Sequence, residues 1–349
     1  MAYNVLILGA SYGSLLSTKL LMAGHNVTLV CLPEEAELIN EKGTIVRIKL
    51  RGDADFTVLM SSAFPGNLKA ITPAEAKPEE YDLVGFAMQE PQYRVDVIKN
   101  LLTKIAKSRK PCLSIMNMPP LPYLKRIKGL DHGKLEACYT DASVWADFDP
   151  ALVTLCSPDP QAVRPPEEGL NVLQVGLPTN FKAAAFEDNA YTNILRQLET
   201  DVENVRLSDR EIPVKLRTYD SIFVPIAKWS MLLTGNYRCI TKGDVKPIKE
   251  AVHGDVEQSR AIYEWVNTLA RDLGADAGDQ VPFEKYAAAA QNLLNPSSAA
   301  RAVYAGAPYI ERVDRVVQMI GRQRNMNSPV IDEIVDTVDE KLQANRDAA

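Results

Sequence analysis

The 349-residue sequence has few of the residues that build metal sites and disulfide frameworks. It contains only three histidines, His25, His132 and His253, and five cysteines without any CxxC pair. The histidines lie far apart without a ligand-like spacing, so we expect no bound metal. The cysteine number is odd and most cysteines stand in apolar runs, which is typical of buried structural thiols.

The sequence also lacks an excess of basic over acidic residues, and it lacks long apolar runs. Lys and Arg number 39 against 45 Asp and Glu, which gives a net charge of -6. This balance gives no general attraction to nucleic acid or anionic lipid. No stretch approaches the roughly 20 apolar residues of a membrane span, and Met1 to Asn4 lacks the basic start of a signal peptide. We therefore expect a cytoplasmic protein whose partners are small molecules, with neither nucleic acid nor membrane among them.

The composition that remains is that of an ordinary globular protein, with 46% apolar and 24% charged residues. The chain is longer than one hydrophobic core usually covers, so two domains are expected. Strand and helix patterns alternate in the first part, whereas strand signals nearly vanish after about residue 218. We place the domains at 1–212 and 213–349.

The first part opens with one βαβ unit. Residues 4–8 form an apolar run of strand formers, 9–14 break it with glycines, 15–23 resume at helical spacing, and 26–31 form a second apolar run. The alternation continues with a strand at 82–87, a helix at 94–106 and a strand at 111–115. This pattern predicts an α/β Rossmann-type domain with a parallel sheet.

Other segments of the first domain are less regular. Residues 44–59 are typical of a β-hairpin appended to the sheet, and short strands are expected at 153–156 and 172–176, separated by a proline-rich loop at 158–166.

The second domain is predicted to be all-α, and the cleft between the domains is the natural place for a substrate. The amphipathic stretch 309–342 predicts either a homodimer contact or a purely internal bundle. The predicted helices are 222–233, 259–273, 283–294, 309–320 and 330–342.

The turn after the first strand is a degenerate dinucleotide fingerprint. In G-x-G-x-x-G the glycines make the turn, admit the pyrophosphate and allow the helix to pack on the strand. Gly9, Ser11 and Ser14 stand in those three places, with Gly13 one place before the last. We therefore predict that the cofactor contacts lie among Gly9, Ser11, Tyr12, Gly13 and Ser14, although the βα turn of another doubly wound protein has the same outline.

The end of the second predicted strand does not settle the choice between NAD and NADP. An acid there is typical of NAD binding and a basic residue of NADP binding, but Leu32 is uncharged. Glu34 and Glu35 follow and could reach a ribose, which would favour NAD. They are equally ordinary first-turn residues of a helix.

Four short pieces carry a family resemblance. They are Ile115-Met-Asn117-Met118, Ala227-Lys228-Trp-Ser-Met-Leu-Leu-Thr-Gly-Asn236, Asn295-Pro-Ser297-Ser298 and Pro308 to Asp314 with Glu311. In this order, along nearly the whole chain, they resemble the ketopantoate reductase (2-dehydropantoate 2-reductase) family. The resemblance implies catalytic roles for Lys228 and Glu311, substrate contacts for Asn236, Ser297 and Ser298, and a place for Asn117 near the nicotinamide.

The sequence departs from this family at several positions. Leu232 stands where the family has the first asparagine after the lysine, and Leu32 stands where it has the basic residue for the 2′-phosphate. Asn117 is followed by Met118 rather than glycine. The chain therefore resembles a divergent member, for which the family implies NADP while its own residues leave NAD and NADP open.

The function that the resemblance implies is reduction of a small 2-oxo acid or related ketone, with Lys228 as the general acid. By its sequence alone, without the resemblance, Lys228 is more typical of an exposed helical lysine than of a catalytic one. An opine-type or hydroxyacyl dehydrogenase that uses His253 is an alternative enzyme. A nucleotide-binding sensor that has lost turnover is an alternative of another class.

Overall fold

The structure is a computed structural model that describes residues 2–158, 161–177 and 179–348. The chain forms two compact units. The first, called the N-terminal unit, comprises Met1–Met88, Gln92–Tyr123 and Ser143–Ile222, and the second, called the helical unit, comprises Gln89–Pro91, Leu124–Ala142 and Phe223–Ala349. The assignment of cofactor binding to 1–212 and substrate binding to 213–349 stays a prediction.

The regular elements are numbered in chain order. The strands are β1 Asn4–Leu8, β2 Asn26–Val30, β3 Ile45–Ile48, β4 Thr57–Met60, β5 Leu68–Ile71, β6 Leu83–Phe86, β7 Cys112–Ile115, β8 Val153–Pro158, β9 Gln161–Val163, β10 Val172–Leu177, β11 Thr179–Ala184, β12 Arg206–Leu207, β13 Arg210–Glu211 and β14 Val214–Tyr219. The helices are α1 Tyr12–Met22, α2 Pro33–Lys42, α3 Asp96–Ser108, α4 Leu121–Leu124, α5 His132–Leu135, α6 Asn189–Asn204, α7 Lys228–Met231, α8 Ile248–His253, α9 Val256–Asp272, α10 Phe283–Ala290, α11 Ser298–Tyr304, α12 Val313–Gln323 and α13 Pro329–Ala348.

An eight-stranded sheet organises the N-terminal unit. Its order is β14-β11-β8-β7-β6-β1-β2-β5. The strands from β5 to β8 pair in parallel, and β11 turns antiparallel against β8. The parallel part has the doubly wound strand order. From β1 the chain first adds β2 and β5 on one side, and then adds β6, β7 and β8 on the other. The Rossmann-type prediction is confirmed.

A second sheet of four strands, β4-β3-β10-β9, stands beside the first. The hairpin predicted at 44–59 exists as β3 and β4, with Ile45 opposite Met60, but its assignment to the main sheet is wrong. β3 instead pairs in parallel with β10, from a segment more than a hundred residues later. The predicted loop at 158–166 contains strand β9.

The buried side chains of the second sheet explain this arrangement. Val46, Ile48, Leu59 and Val175 alternate with more exposed residues along their strands and join the hydrophobic core of the main sheet. A four-stranded sheet with one apolar face must bury that face against another layer.

The helical unit is built from amphipathic helices. Along α12, Val313, Val316, Val317 and Ile320 are fully buried at the i, i+3, i+4, i+7 spacing of one helix face. The long helices α9 and α13 match the predicted segments 259–273 and 330–342 within a few residues at their starts, although α13 continues to Ala348. Within the described residues, no helix has the length and apolar character needed to cross a membrane.

One buried lysine in the N-terminal unit is expected to lower the free energy of unfolding. Lys19 lies in α1 with only 2% of its surface exposed. Burial, the largest cause, and the nearby cations Arg206 and Lys215 together lower the pKa of its amino group from 10.5 to about 8, while Glu211 opposes them. The charged form is thus disfavoured in the folded state.

We expect Lys19→Met to stabilise the protein by about 1–3 kcal/mol at pH 7. Between pH 8 and 10.5 the unfolded chain keeps the Lys19 proton that the folded chain has lost, so wild-type stability rises with pH and the advantage of the variant shrinks. Urea denaturation at pH 7 and pH 9.5 measures both effects. The control is Lys285→Met, on an exposed position of α10, which should change stability by less than about 0.5 kcal/mol. An equal gain in stability of Lys19→Met at pH 7 and pH 9.5 would contradict the lowered pKa of Lys19.

Candidate functional site

The turn between β1 and α1 brings backbone close to the end of β6. Gly9 has φ +97°, and its amide donates to the carbonyl oxygen of Val30 at 2.9 Å. A Cβ at this position would lie 2.7 Å from the carbonyl oxygen of Ala87. Both the conformation and the space therefore require glycine.

The residue that lets α1 pack closely on β1 is Gly13, not Ser14 in the third place of the fingerprint. A Cβ on Gly13 would lie 2.9 Å from Cγ2 of Ile7 in β1. Ser14, in the third place, is buried and its hydroxyl donates to the carbonyl oxygen of Ala10 inside the helix. The pattern that works in this chain is Gly9-x-Ser11-x-Gly13, and a cofactor contact by Ser14 stays a prediction.

The start of α1 faces the same turn. Ser11 is the N-cap residue, is half-buried and makes no side-chain capping bond to the helix. The amide groups of the first turn, which begins at Tyr12, are therefore not satisfied by the N-cap side chain, and they favour an anion. The side chain of Tyr12 lies outside the described part of the structure.

Asn117 lies at the same edge of the sheet. It follows β7, which is parallel to β6, which in turn is parallel to β1. Carboxyl ends of neighbouring parallel strands meet at one edge, so the turn at Gly9 and half-buried Asn117 share that edge. Dinucleotides bind at this position in doubly wound folds, as the sequence predicts.

In the helical unit, the predicted helix at 222–233 is a composite of short segments. A 3₁₀ turn at Pro225–Ala227 leads into α7, followed by a π-helical segment at Leu232–Asn236 and a 3₁₀ turn at Tyr237–Cys239. The amide of Tyr237 donates to the carbonyl oxygen of Leu232, five residues back. Lys228 opens α7 and Asn236 ends the π segment, so the angle between them is not that of a continuous α-helix.

The π segment has an identifiable cause. The hydroxyl of Tyr286, from α10, donates to the carbonyl oxygen of Met231 at 3.1 Å. That carbonyl would accept from Gly235 in an α-helix. A Cβ on Gly235 would lie only 2.0 Å from the Tyr286 hydroxyl oxygen. A side chain inserted into the helical ladder, opposite a glycine that makes room for it, produces this kind of bulge, and such bulges are frequent at functional sites.

We expect Gly235→Ala to destabilise the protein by about 1–3 kcal/mol, because the new methyl group overlaps the Tyr286 hydroxyl. Tyr286→Phe should cost about 1 kcal/mol through the lost hydrogen bond. The double variant removes the overlap, so its loss should be smaller than the sum of the single losses by about 1 kcal/mol or more. Urea denaturation of the four proteins measures this coupling. Additive losses would show that the hydroxyl is not what excludes a side chain at Gly235.

Two hydroxyl groups tie the remaining predicted residues to the π segment and to the 3₁₀ turn that follows it. Ser297 caps α11 by accepting from the Ala300 amide, and its hydroxyl donates to the carbonyl oxygen of Asn236 at 2.8 Å. The hydroxyl of Tyr237 donates to the carbonyl oxygen of Glu311 at 2.6 Å. The structure thus brings Asn236, Ser297 and Glu311 around one segment.

The neighbouring Ser298 is exposed as the first residue of α11. Because the hydroxyl hydrogen of Ser297 is already used, Ser298 is the freer of the two serines for a ligand. Direct substrate contacts by Ser297, Ser298 and Asn236, and the catalytic roles of Lys228 and Glu311, stay predictions.

Tyr237 and Tyr286 bond to the backbone near the predicted site residues, and the sequence did not reveal these contacts. Tyr237 is buried, and burial raises the pKa of its hydroxyl well above 10, so the group stays a donor at neutral pH. Its oxygen also accepts from the Val313 amide at 2.9 Å. Tyrosines in apolar surroundings are ordinary core residues by pattern, and no local signal distinguished these two.

The segment that carries Glu311 is further fixed by a buried ion pair. Arg312 donates through Nε and Nη2 to both carboxylate oxygens of Asp314 at 2.9 Å, and through Nη1 to Asp339 in α13. Asp314 has no exposed surface. This bidentate pair holds the start of α12 directly after Glu311.

His253, the base of the alternative dehydrogenase, ends α8 rather than standing in a loop. Its Nε2 lies 2.9 Å from the carbonyl oxygen of Ala287, and its Nδ1 lies 3.2 Å from Nε2 of Gln291. Both ring nitrogens are thus engaged within the helical unit.

Among known proteins, the chain is similar to solved structures but not to any family model or curated sequence. No family model and no curated protein sequence matches the chain. A structure of D-mandelate dehydrogenase with NADH and anilino(oxo)acetate aligns with TM-score 0.66 and 14% identity over 98% of this chain and 99% of that one.

Two reductase structures align over similar lengths. The 2-dehydropantoate 2-reductase from Methylococcus capsulatus gives TM-score 0.68 and 14% identity over 98% and 97% of the two chains. The dimeric ketopantoate reductase from Staphylococcus aureus gives 0.62 and 13% over 98% and 99%. The chain therefore has, over nearly its whole length, the fold of these enzymes, a Rossmann-type sheet followed by a helical region.

Proposed function

We propose that this protein is an NAD(P)H-dependent reductase that converts a small 2-oxo acid, or a related ketone, into the corresponding hydroxy acid. Proteins of the same fold carry the names ketopantoate reductase and D-mandelate dehydrogenase, and a structure of the latter contains NADH and anilino(oxo)acetate. The ketone and hydroxy acid chemistry in these names is the class of reaction that we assign.

The turn at Gly9 supports the cofactor half of this proposal. Glycine at position 9 keeps the space beside Ala87 free of a side chain, and the start of α1 offers amide groups that its N-cap side chain leaves open. These features fit a pyrophosphate at a helix N-terminus. A bound reduced nicotinamide supplies a hydride to the carbonyl carbon of the substrate.

Lys228 carries the proton chemistry. Its ammonium group donates a hydrogen bond to the carbonyl oxygen, stabilises the negative charge that develops there, and transfers one proton to form the hydroxyl group. Lys228 then recovers a proton from solvent. Asn236 and Ser298 donate hydrogen bonds to the substrate, and the carboxylate of Glu311 orients the lysine.

The observation that carries the proposal is the convergence on the π segment. Lys228 begins the helix that leads into it, Asn236 ends it, Ser297 bonds to the Asn236 carbonyl, and Tyr237, the next residue, bonds to the Glu311 carbonyl. A π-helical segment held by side chains from several elements is typical of a site that must fix the geometry of reacting groups. The His253 scheme lacks such support, because both ring nitrogens have partners.

The test is a titration of the purified protein with NADH and NADPH, followed by fluorescence, and an absorbance assay with a panel of 2-oxo acids. We expect binding of at least one cofactor and its oxidation by one or more panel members. Tight binding without turnover would favour the nucleotide-sensing alternative, and absence of binding would reject both.

The homodimer suggested by the C-terminal helices stays a prediction, which light scattering checks. A mass equal to one chain would remove it.

A further inference from the structure

The N-terminal unit holds an arginine at the place where a dinucleotide-binding fold recognises the 2′ position of the adenine ribose. That place is the end of β2, where a carboxylate binds a ribose hydroxyl and an arginine binds a 2′-phosphate. The chain itself has Leu32 there, with 70% of its surface exposed and no charge. The residue that reaches this place is Arg164, which follows β9.

Arg164 is fixed there by an ion pair. Its Nη2 bonds to Oε1 of Glu35, in the first turn of α2. The charges of both residues act on the thiol of Cys31, the residue that directly follows β2. Arg164 therefore stands at the end of β2 even though it lies more than a hundred residues away in sequence.

The strand pairing of the second sheet places Arg164 near the end of β2. β9 pairs antiparallel with β10, with Val163 opposite Gln174, and β10 pairs with β3. The loop after β9 is tied back to β3 by the pair of Arg47 Nη2 and Glu168 Oε1 at 2.6 Å. The arginine thus comes from a segment anchored on both sides.

The two members of the pair differ in what they can offer a ligand. The Glu35 side chain is 8% exposed, whereas that of Arg164 is 28% exposed. Glu35 is therefore the buried support and Arg164 the group that a ligand can reach. Among the described residues the only hydrogen-bond partner of the guanidinium is Glu35, through one of its five N–H donors.

The start of α2, like the guanidinium of Arg164, favours an anionic ligand. Leu32 is its N-cap residue and makes no side-chain capping bond, and Pro33 has no N–H, so the amides that this turn can offer a ligand are those of Glu34 and Glu35. Exposed Glu34 in that turn opposes an anion, and buried Glu35 is neutralised by its partner.

We propose that Arg164 binds the 2′-phosphate of the cofactor and makes this chain prefer NADP(H), so that an arginine of the second sheet supplies the charge that the end of β2 lacks. The guanidinium presents paired donors that match phosphate oxygens. This inference rests on the proposed function, because it names the cofactor of the same site.

The experiment measures binding and needs no turnover. Calorimetry with 2′,5′-ADP and 5′-AMP, and fluorescence titration with NADPH and NADH, are carried out on wild type, Arg164→Gln and Arg217→Gln. Arg217 is a matched control, since it lies in the N-terminal unit, is 30% exposed and also pairs with glutamates, but takes no part in placing Arg164. We expect wild type to prefer 2′,5′-ADP and NADPH. Arg164→Gln should weaken both by about 10- to 100-fold and leave 5′-AMP and NADH within about two-fold, while Arg217→Gln changes none of them.

A further variant guards against loss of folding. Arg164→Gln leaves Glu35 buried without its partner, so the double variant Arg164→Gln/Glu35→Gln removes that charge too and should show the same selective loss. A wild type that prefers NADH, or an equal loss for both cofactors, would overturn the assignment of Arg164 while leaving a nicotinamide-dependent enzyme in place. If wild type binds neither NADH nor NADPH, the proposed function itself fails.

Discussion

Replacing Lys228 by methionine is expected to lower the rate of substrate reduction by about 10²- to 10⁴-fold, the usual contribution of a positioned general acid. Methionine fills similar space but can neither donate a hydrogen bond to the carbonyl oxygen nor transfer a proton. The loss should fall on kcat at saturating oxo acid, with cofactor binding unchanged, because the predicted cofactor contacts from Gly9 to Ser14 and at Asn117 do not include Lys228.

The control for this variant is Lys249→Met, at an exposed position of α8. It removes the same charge from the same unit and should leave the rate within about two-fold. Steady-state kinetics with the best substrate of the panel measures both variants. A Lys228→Met enzyme that keeps the wild-type rate, with unchanged unfolding temperature, would remove the lysine from the chemistry.

The largest expected effect on stability comes from Arg312. Arg312→Ala should destabilise the protein by about 3–5 kcal/mol, because it leaves the fully buried Asp314 without its cation. The loss also frees the segment after Glu311, so activity should fall in the fraction that stays folded. Urea denaturation followed by circular dichroism measures the free energy of unfolding.

Arg315 provides the matched comparison. Its Nη1 lies 3.9 Å from Oδ1 of Asp339, and 40% of each side chain is exposed. A pair of this kind contributes little, so Arg315→Ala should cost less than about 1 kcal/mol. Equal losses for the two arginine variants would mean that the buried pair does not hold α12.

Local patterns account for much of the N-terminal unit. The run from β1 to β2 could be predicted because strand, glycine turn, helix and strand follow one another within thirty residues, and each break has its own signal. Strands β5 and β14 were not predicted. β5 has only four residues and gives little local signal. β14, at the sheet edge, does alternate apolar and polar residues like a half-exposed strand, so in that case a local signal was present.

Long-range contacts explain what could not be predicted. β3 joins the second sheet because of β10, and the π segment exists because Tyr286 enters the helix more than fifty residues further along. Arg164 reaches the end of β2 in the same way. The identities of Lys228, Asn236 and Glu311 came from a family resemblance, whereas the tyrosines that position them became visible only in three dimensions.

Transfer of deuterium from the cofactor to the substrate tests the central claim most directly. The protein is incubated with NADPH or NADH that carries deuterium on one face of C4, together with the 2-oxo acid panel, and the products are analysed by mass spectrometry. We expect a 2-hydroxy acid that carries deuterium on C2 from one C4 stereoisomer only, and its formation should be about 10²- to 10⁴-fold slower with Lys228→Met. Binding of the cofactor without deuterium in any hydroxy acid, from either stereoisomer, would contradict the account.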